Sequence, residues 1–589
     1  MSNVYYTKER NVQIVLSLLK AHGIRKVVAS PGSTNIAVVG SMEHDPFFEI
    51  YSCVDERSAA YMACGLAAES GEPVVLSCTG ATSSRNYYPG LTEAFYPGLT
   101  EAFYRKLPIL ALTSSQDSRR MGHLKDQITD RTCPPRDLVK LSTLLQNVRD
   151  EEDEWDVTIK ANRAILELNH HGRGPVHINI ETTYCREFPV KELPFTRVLH
   201  RFTYGDNFPS LPDGKIAIFV GSHIRMTAEE TSLIDKFCHC HNAVVLCDPS
   251  SGYKGKYGVF YALARGKKWS DSNLNFDLII HLGEISCFIW QCVFAKEIWR
   301  VSEDGELRDL LKRLTNVFEM REIDFFKHYI VENKKESDSL LKILNEEIRV
   351  ALENLPELPF SNLWIAGRLH TEIPQGAILH LGILSPLRSW NYMGIETYYE
   401  TDSNQGGFGI DGNLSTLIGA SFVHPDKLYF CIVGDLSFFY DMNSLGNRHI
   451  KNNVRILVVN NGLGCEFRLF NQVGNILGEE ADMYISAGGH FGNKSREVIK
   501  DLASNWGYEY MSAASKEEFE DVYKRFVNPK LTERPIVFEV FTKVEDENEA
   551  LLLVESFGQV ENKKCLVKSI AKKILGEEGK KIFDVIRDR

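Results

Sequence analysis

Two short polar clusters, each placed after an apolar run, carry the chemistry suggested by the last third of the chain. Gly434 and Asp435 follow the apolar run 428–433, and Asn461 lies just beyond the run 454–459. Such runs are typical of buried parallel strands, and the segment between them is long enough for a crossover helix, so both clusters should lie at one edge of a sheet. A carboxylate and an amide oxygen at that edge suit Mg²⁺, which proteins usually hold through one or two carboxylates plus phosphate oxygens. The spacing therefore predicts a site for a metal ion and a diphosphate group.

Two further segments contain residues that could take part in catalysis or cofactor binding. Glu56 lies where a predicted strand ends and a helix begins, although an acid at that position can also simply stabilise the helix N-terminus. Gly407, Gly409 and Gly412 satisfy the G-x-G-x-x-G pattern of dinucleotide-binding turns, and Asp435 follows about twenty residues later. A dinucleotide site gives no role to an asparagine one strand further on, whereas a diphosphate held through Mg²⁺ uses both the acid and the amide. We therefore favour the metal-diphosphate hypothesis over a nicotinamide-dependent oxidoreductase.

The composition favours a cytoplasmic protein that acts on small molecules. The net charge is −12 and no block is rich in Lys or Arg, which argues against a surface for nucleic acid or anionic membrane. The N-terminal segment lacks the apolar core of a secretory signal, and no apolar run reaches the roughly 18 residues of a membrane helix. The 13 Cys residues show no disulfide-like spacing. In the segment 238–241, Cys-His-Cys-His, consecutive residues cannot surround one tetrahedral ion without a distant ligand pair, so we favour an ordinary helix end.

The hydrophobic periodicity predicts an α/β fold with three doubly wound domains and mostly parallel sheets. The predicted domains are 1–192 (N-terminal), 205–345 (central) and 356–545 (third), followed by a C-terminal helical tail at 546–589. Besides the two strands named above, strands are predicted at 26–29, 48–54, 73–77, 108–112, 175–180, 216–220, 243–246 and 278–282. Helices are predicted at 8–22, 228–237, 307–314 and within 319–353. Glu56 and Asp435 thus fall in different domains.

An eight-residue sequence, YPGLTEAF, occurs twice in a row, at 88–95 and 96–103. Eight residues turn an α-helix by about 800°, which rotates the following face by about 80°, so a simple helix extension would misplace the apolar side chains that follow. The Pro-Gly pair in each copy favours looping one copy out of the helix. We predict a tandem insertion at a helix end, with a sequence artefact as the alternative.

The motifs of the thiamine diphosphate enzymes are similar to three features of this chain: Glu56, the pair Gly434-Asp435, and the asparagine pair at 460–461. The resemblance covers nearly the whole chain and is strongest to the carboligating synthases of the menaquinone pathway. The segments that carry it are SPGS at 30–33, ERSAA at 56–60, NYYP at 86–89, SPLR at 385–388, GIDG at 409–412 and GDLSF at 434–438. It implies an enzyme, a transferase or lyase, that uses thiamine diphosphate and Mg²⁺ to decarboxylate a 2-oxo acid and add the remaining fragment to an acceptor. It also implies a homodimer or homotetramer with active sites between subunits.

The resemblance assigns expected roles to individual residues. Glu56 would be the catalytic acid, reaching the aminopyrimidine ring of the cofactor from the partner subunit. The metal ligands would be Asp435, Asn461 and the carbonyl of Leu463. The cofactor contacts would be Ser385, Gly409, Ile410, Gly434, Asp435, Leu436, Ser437 and Asn461. The substrate contacts would be Ser33, Thr34, His123, Gln127, Arg388, Gln405 and Phe467. Of these, Arg388 would hold the donor carboxylate, and Ile410 would lie beneath the thiazolium ring.

The chain departs from the family pattern where substrates are recognised. Thr34 and Gln405 stand where the family has arginines, and a third family arginine falls near 115–117. Losing bidentate guanidinium groups removes the strongest recognition of carboxylates. Other cations and polar groups of the corresponding loop could supply a different pattern: Arg119, Arg120, His123, Lys125 and Gln127. The open alternatives are the menaquinone-type reaction, another 2-oxo acid decarboxylase or acetolactate synthase-like enzyme of specialised sugar or metabolite synthesis, and a catalytically idle scaffold.

Overall fold

The computed structural model describes residues 5–80, 97–125, 128, 134, 138–263, 274–286, 295–330 and 337–556. The chain divides into two compact units, Met1–Phe208 with Asp304–Glu319, and Pro209–Glu303 with Met320–Arg589. Three mostly parallel sheets of six or seven strands, with helices between the strands, confirm the predicted α/β fold class. The predicted boundaries of three domains stay a prediction.

The first unit contains a six-stranded parallel sheet in the order β2-β1-β3-β4-β6-β5. Its strands are β1 Lys26–Ala29, β2 Glu49–Ser52, β3 Val74–Thr79, β4 Ile109–Ser115, β5 Ser142–Leu145 and β6 Val176–Glu181. Its helices are α1 Arg10–Ala21, α2 Ile36–Glu43, α3 Glu56–Ser70, α4 Pro97–Tyr104 and α5 Glu151–Glu167. Strands β7 His200–Phe202 and β13 Leu314–Phe318 pair in parallel in the same unit. The central strands β4 and β6 are buried along their whole length, as expected for a parallel sheet covered on both faces.

The second unit contains strands of two sheets. Five belong to the seven-stranded sheet, in the order β10-β9-β8-β11-β12: β8 Ile216–Val220, β9 Val244–Cys247, β10 Gly258–Val259, β11 Phe276–Leu282 and β12 Ala295–Val301. Six form the third sheet, in the order β15-β14-β16-β17-β19-β18: β14 Ile378–Leu381, β15 Glu400–Asp402, β16 Tyr429–Gly434, β17 Val454–Asn460, β18 Glu509–Ala513 and β19 Ile536–Phe541. The third sheet is parallel throughout.

Eleven α-helices are described in the second unit. They are α6 Ala228–His241, α7 Glu322–Tyr329, α8 Ser339–Glu353, α9 Asn362–Leu369, α10 Ser385–Met393, α11 Asn413–Ser421, α12 Asp435–Asp441, α13 Ala481–Tyr484, α14 Val498–Asn505, α15 Lys516–Phe526 and α16 Val544–Ser556. Among the described residues, every helix is too short or too polar to cross a membrane.

The predicted strand-helix-strand unit around Asp435 is confirmed. Strands β16 and β17 pair in parallel with Gly434 beside Val459, so their carboxyl ends coincide to within one residue. The crossover helix α12 begins at Asp435 itself and is only seven residues long, followed by a 3₁₀ turn at Met442–Gly446. This register places Asp435 and Asn461 at the same edge of the sheet, one strand apart.

The predicted helix at 307–314 is wrong. Strand β13 begins at Leu314, and the residues before it form a loop organised by Asp309. The Asp309 carboxylate accepts hydrogen bonds from the backbone N–H groups of Arg313 (2.9 Å) and Leu314 (2.8 Å) and from the Arg197 guanidinium at 2.6 Å. These side-chain bonds replace the backbone bonds that a helix would need.

Two other predictions are resolved only in part. Within the segment 319–353, which was predicted to be helical, the described residues form the helices α7 and α8, and the short strand β5 has no counterpart among the predicted strands. The second copy of the repeat supplies the helix α4. The first copy, and with it the looping-out prediction, lies outside the described residues, as does the part of the C-terminal tail beyond residue 556.

Glu547 on α16 is buried and joins this helix to the start of α9. Its carboxylate accepts hydrogen bonds from the backbone N–H of Asn362 (3.1 Å), from the Asn362 Nδ2 (3.0 Å) and from the Thr542 hydroxyl (2.8 Å). Burial nevertheless raises the pKa of Glu547 to about 7, because these bonds only partly replace hydration of the charged form.

We expect Glu547→Gln to remove part of the pH dependence of stability. With a folded pKa of about 7 against an ordinary value of 4.5, the folded protein keeps a proton that the unfolded chain releases in that interval. This contribution to stability is full below pH 4.5 and is lost as the pH rises through 7. The free energy of unfolding in urea should fall between pH 5 and pH 8 by about 2–3 kcal/mol more in the wild type than in the variant. Parallel pH profiles would contradict the assignment.

Candidate active site

A cavity of about 820 Å³ opens at the carboxyl edge of the third sheet, and all of its lining residues belong to the second unit. The ends of β16 and β17 form its polar part, through Gly434, Asp435 and Asn461. Its other walls come from the N-terminal part of α10, from the loop before α11 and from the 3₁₀ turn after β17. The lining includes most of the residues predicted to bind the cofactor or the metal ion: Ser385, Ile410, Gly434, Asp435, Leu436, Ser437, Asn461 and Leu463.

Asp435 lies at the bottom of this arrangement, with 4% of its surface exposed. One carboxylate oxygen accepts the Leu436 N–H at 2.8 Å and the other accepts the Gly462 N–H at 2.8 Å. Burial raises the pKa of Asp435 to about 7, with a smaller contribution from the Glu539 carboxylate, despite these two bonds. A cation beside Asp435 would favour the ionised carboxylate again.

The two consecutive asparagines have different surroundings. Asn460 is fully engaged, because its Nδ2 donates to Glu539 at 2.6 Å and its Oδ1 accepts the Gly462 N–H at 3.0 Å. The Oδ1 of Asn461 is buried and has no hydrogen-bond partner among the described residues. A buried acceptor without a donor is costly, and a bound cation is one way to satisfy it.

The donor atoms at this edge fit a hard divalent cation. They are the buried carboxylate of Asp435, the unpartnered amide oxygen of Asn461 and the carbonyl of Leu463, which accepts the Cys465 N–H at 2.8 Å and keeps a second lone pair. Oxygen ligands of this kind are those that Mg²⁺ takes, usually with phosphate oxygens completing the shell.

Ile410 is held in the cavity wall by a small hydrogen-bond network. Its carbonyl accepts the Asn413 Nδ2 at 2.9 Å and the Ser437 hydroxyl at 2.5 Å, and the Asn413 Nδ2 also donates to the Ser437 oxygen at 3.0 Å. Gly412, at φ +77°, turns the chain into α11 immediately after this segment. Gly409 does not line the cavity. The helices α11 and α12 therefore fix the backbone of Ile410 together.

Arg388 lines the cavity but is already paired. Its guanidinium forms a salt bridge with Glu466, which also accepts the Ser385 hydroxyl at 3.3 Å and the Gln472 amide at 3.0 Å. Although burial lowers it, the pKa of Arg388 stays above its ordinary value because of the Glu466 carboxylate. Phe467, which is 45% exposed, forms the neighbouring part of the wall. Glu466 was not among the predicted site residues, since nothing in its local spacing indicates that it faces α10.

Gln405 is not brought to the cavity. It is 1% exposed and its Nε2 donates to the Ser250 hydroxyl. Ser250 in turn donates its N–H (2.6 Å) and its hydroxyl (2.5 Å) to the buried Asp248, whose other carboxylate oxygen accepts the Ser286 hydroxyl. The Gln405 side chain thus anchors the loop that carries Phe408 and Ile410, and does not line the cavity that those residues line.

The first unit holds five of the predicted site residues, of which the structure describes Ser33, Thr34, Glu56 and His123. Glu56 is the first residue of α3, just after β2, and is 8% exposed, while Asp55 caps the helix by accepting the Ser58 N–H at 3.2 Å. Thr34 is buried, and its hydroxyl donates to the Ser114 carbonyl at 3.0 Å. Ser33 and His123 are exposed, and Gln127 lies outside the described residues.

Comparison with known proteins identifies the class of enzyme to which this protein belongs. The family model "Thiamine pyrophosphate enzyme, N-terminal TPP binding domain" matches residues 10–132. With the acid at the start of α3 and the oxygen donors at the edge of the third sheet, this match defines a thiamine diphosphate-dependent enzyme.

The full-length relatives give the family. A 2-succinyl-5-enolpyruvyl-6-hydroxy-3-cyclohexene-1-carboxylate synthase from Bacteroides thetaiotaomicron is 31% identical over 586 residues, covering 95% of this chain and 100% of the relative. Synthases of the same name from Phocaeicola vulgatus and Bacteroides fragilis are 30% and 29% identical, with the same coverage. The chain belongs to the 2-succinyl-5-enolpyruvyl-6-hydroxy-3-cyclohexene-1-carboxylate synthase family.

We expect Gln405→Leu to destabilise the protein rather than to weaken substrate binding. The substitution places an apolar side chain against the buried Ser250 hydroxyl and removes the donor that Gln405 supplies, which should lower the free energy of unfolding by about 1–3 kcal/mol. Asn404→Ala is the matched control, because Asn404 is adjacent, only half-buried and bonded to Thr416 at 3.0 Å, and it should cost less than about 1 kcal/mol. A raised KM with an unchanged urea unfolding curve would instead indicate direct contact with substrate.

Proposed function

We propose that this enzyme binds thiamine diphosphate through Mg²⁺ at the carboxyl edge of the third sheet, decarboxylates a 2-oxo acid and transfers the remaining fragment to an acceptor. The observation that carries the proposal is the buried, unpartnered Oδ1 of Asn461, one strand away from the buried carboxylate of Asp435. A water-filled edge would not need two such costly groups together, whereas a cation satisfies both.

The roles proposed at this edge follow from the donor atoms. Asp435, Asn461 and the Leu463 carbonyl would hold Mg²⁺, and the cation would keep the Asp435 carboxylate ionised. Gly434, Leu436, Ser437 and Ser385 line the cavity beside them and would contact the cofactor. The Ile410 side chain, on a backbone fixed by Asn413 and Ser437, would support the cofactor ring.

Glu56 is proposed as the catalytic acid. When bound, thiamine diphosphate supplies the electron sink that makes loss of carbon dioxide possible. Glu56 would hold a proton against a ring nitrogen of the cofactor, and the cap made by Asp55 keeps the first turn of α3 ordered for this contact. Support comes from its place at a helix start and from its small exposed surface, which restricts competition from water.

Substrate choice would depend on Arg388 and its partner. Because Glu466 already neutralises the guanidinium, a substrate carboxylate must displace Glu466 before Arg388 can hold it. The cavity is otherwise mainly apolar, with Phe408, Phe467 and Leu436 in its wall. We propose a small 2-oxo acid as the donor.

The acceptor is proposed to differ from the one that the relatives' name describes. The resemblance expects arginines at the positions of Thr34 and Gln405. The polar groups of these two side chains make hydrogen bonds inside the fold instead. Similarity over the full length favours the reaction of the relatives, whereas the loss of these cations favours a less acidic acceptor, as in a carboligase of specialised sugar or metabolite synthesis. An idle scaffold is disfavoured, because it would have no reason to keep the buried Asp435 carboxylate beside the buried, unpartnered Oδ1 of Asn461.

We expect Glu56→Gln to lower turnover by about 100- to 10,000-fold, because the amide cannot exchange the proton. Circular dichroism, melting temperature and affinity for thiamine diphosphate should stay close to those of the wild type. Asp55→Asn is the matched control, since Asn caps helices as well as Asp does and the neighbouring Glu56 is untouched. Full activity of Glu56→Gln would contradict the proposed role.

The proposed homodimer can be tested with the same variant. If Glu56 and Asp435 of one active site come from different chains, two inactive variants, Glu56→Gln and Asp435→Asn, should complement each other when co-expressed. Half of the dimers would then be mixed and carry one intact site, which predicts about one quarter of the wild-type activity. No recovery, or an active monomer by light scattering, would refute sites shared between subunits.

The substrate is tested by release of carbon dioxide from pyruvate, 2-oxoglutarate and phosphonopyruvate, each with thiamine diphosphate and Mg²⁺, and each with and without isochorismate. We expect a small 2-oxo acid to be decarboxylated without any requirement for isochorismate. Formation of a product only from 2-oxoglutarate with isochorismate would show that the enzyme retains the reaction of its relatives and that Thr34 and Gln405 do not change the acceptor.

A further inference from the structure

Two histidines and a glutamate of the first unit converge on one point. His170 and His171 lie in the 3₁₀ turn after α5, and Glu319 follows β13. Their ligand atoms lie within 4.8 Å of one another. We propose that His170, His171 and Glu319 bind one divalent transition-metal ion, such as Zn²⁺, at a site that shares no residue with the cavity of the second unit.

The geometry is close to that of a metal site. The Nε2 of His170 is 2.7 Å from one oxygen of Glu319, and the Nε2 of His171 is 2.7 Å from the other. The two rings are stacked, with centroids 3.6 Å apart, and their Nε2 atoms face the two oxygens of the same carboxylate. Ligands of a tetrahedral Zn²⁺ at 2.0–2.1 Å stand about 3.3 Å from one another, so a small outward movement would admit the ion.

The hydrogen-bond inventory of His170 shows two carboxylates on one imidazole ring. Its Nδ1 lies 2.9 Å from the Glu167 carboxylate while its Nε2 faces Glu319. A neutral imidazole has one N–H, so either tautomer leaves a nitrogen lone pair against a carboxylate oxygen. A second ring proton or a metal ion at Nε2 removes this conflict, and the metal ion leaves Nδ1–H to donate to Glu167, which is the usual outer-shell arrangement of a metal-binding histidine. The second imidazole is stacked on the first and faces the same carboxylate. One shared ion accounts for both contacts, whereas a single proton accounts for only one of them.

The neighbouring cations, Lys140 and Arg201, make their shortest contacts with groups other than the Glu319 carboxylate. Lys140 and Arg201 each approach Glu167 at 3.4 Å, whereas the Arg201 Nε is 3.9 Å from Glu319 and donates to the Gly305 carbonyl at 3.1 Å. The closest partners of Glu319 are therefore the two imidazoles. A Cβ on Gly305 would lie 2.5 Å from a Glu319 oxygen, so a side chain at this position would push the carboxylate aside.

The proposed ion would have a structural role. Glu319 belongs to the segment Asp304–Glu319, which returns to the first unit after a long excursion of the chain, and the histidines follow α5 in the main part of that unit. The side chain of His171 is 68% exposed, which gives the ion access from solvent and leaves room for a water ligand. The ion would fasten the returning segment to α5.

The test uses the full-length enzyme saturated with thiamine diphosphate and Mg²⁺, so that the cofactor site is filled. Co²⁺, titrated and followed by its visible absorption and then displaced with Zn²⁺, should bind once per chain. His171→Ala, an exposed position that should not disturb folding, and Glu319→Gln should each weaken binding at least about tenfold. His239→Ala is the matched control, because His239 lies in the Cys-His-Cys-His segment and contacts Asp338 at 2.8 Å, and it should bind Co²⁺ as the wild type does.

Two results would overturn the proposal. The first is wild-type binding weaker than about 0.1 mM, which would leave the cluster as an ion-pair network only. The second is equal Co²⁺ binding by His171→Ala, or loss of binding in His239→Ala alone, since the ion would then lie elsewhere.

Discussion

The arrangement of the third sheet depends on one buried carboxylate, that of Asp435. Asp435 lies at the end of β16 with both oxygens bonded to backbone N–H groups, yet burial still raises its pKa to about 7. Next to it, Asn461 keeps a buried oxygen without a donor. The parallel register of β16 and β17 creates this pairing, and everything that surrounds it, from the α12 crossover to the network around Ile410, keeps the two groups at one edge. The fold thus carries the cost of burying a carboxylate and an unpartnered amide oxygen side by side, which a cation at this edge would offset.

The parts of this arrangement that were predictable from sequence are those set by local periodicity. Apolar runs define β16 and β17 to within one residue, and the polar residues that end them mark the site. The helix start at Glu56 follows for the same reason. The loop at 307–314 was not predictable in this way. The Asp309 carboxylate accepts hydrogen bonds from backbone N–H groups that a helix would use for its own backbone bonds.

Long-range contacts account for the remaining differences. Gln405 was expected at the substrate, but its partners Ser250 and Asp248 come from a different sheet and more than 150 positions earlier in the chain. Thr34 is likewise used by Ser114 on β4, 80 positions away. Glu466 meets Arg388 across 78 positions, and no spacing rule indicates such a pair. Family resemblance assigns a role to a sequence position. The hydrogen-bond partners of the side chain at that position are distant in the sequence and become neighbours only in the folded chain.

The Arg388–Glu466 salt bridge also bears on the speed of substrate capture. A free guanidinium in a cleft attracts anions over about a Debye length, roughly 8 Å at physiological ionic strength. Here the guanidinium and the carboxylate cancel beyond contact distance, and the chain as a whole carries a net charge of −12. Under the substrate role proposed for Arg388, an anionic substrate would approach a chain of net negative charge, and added salt would assist it by screening that repulsion. Capture would then depend on exchange of partners at Arg388 more than on electrostatic steering.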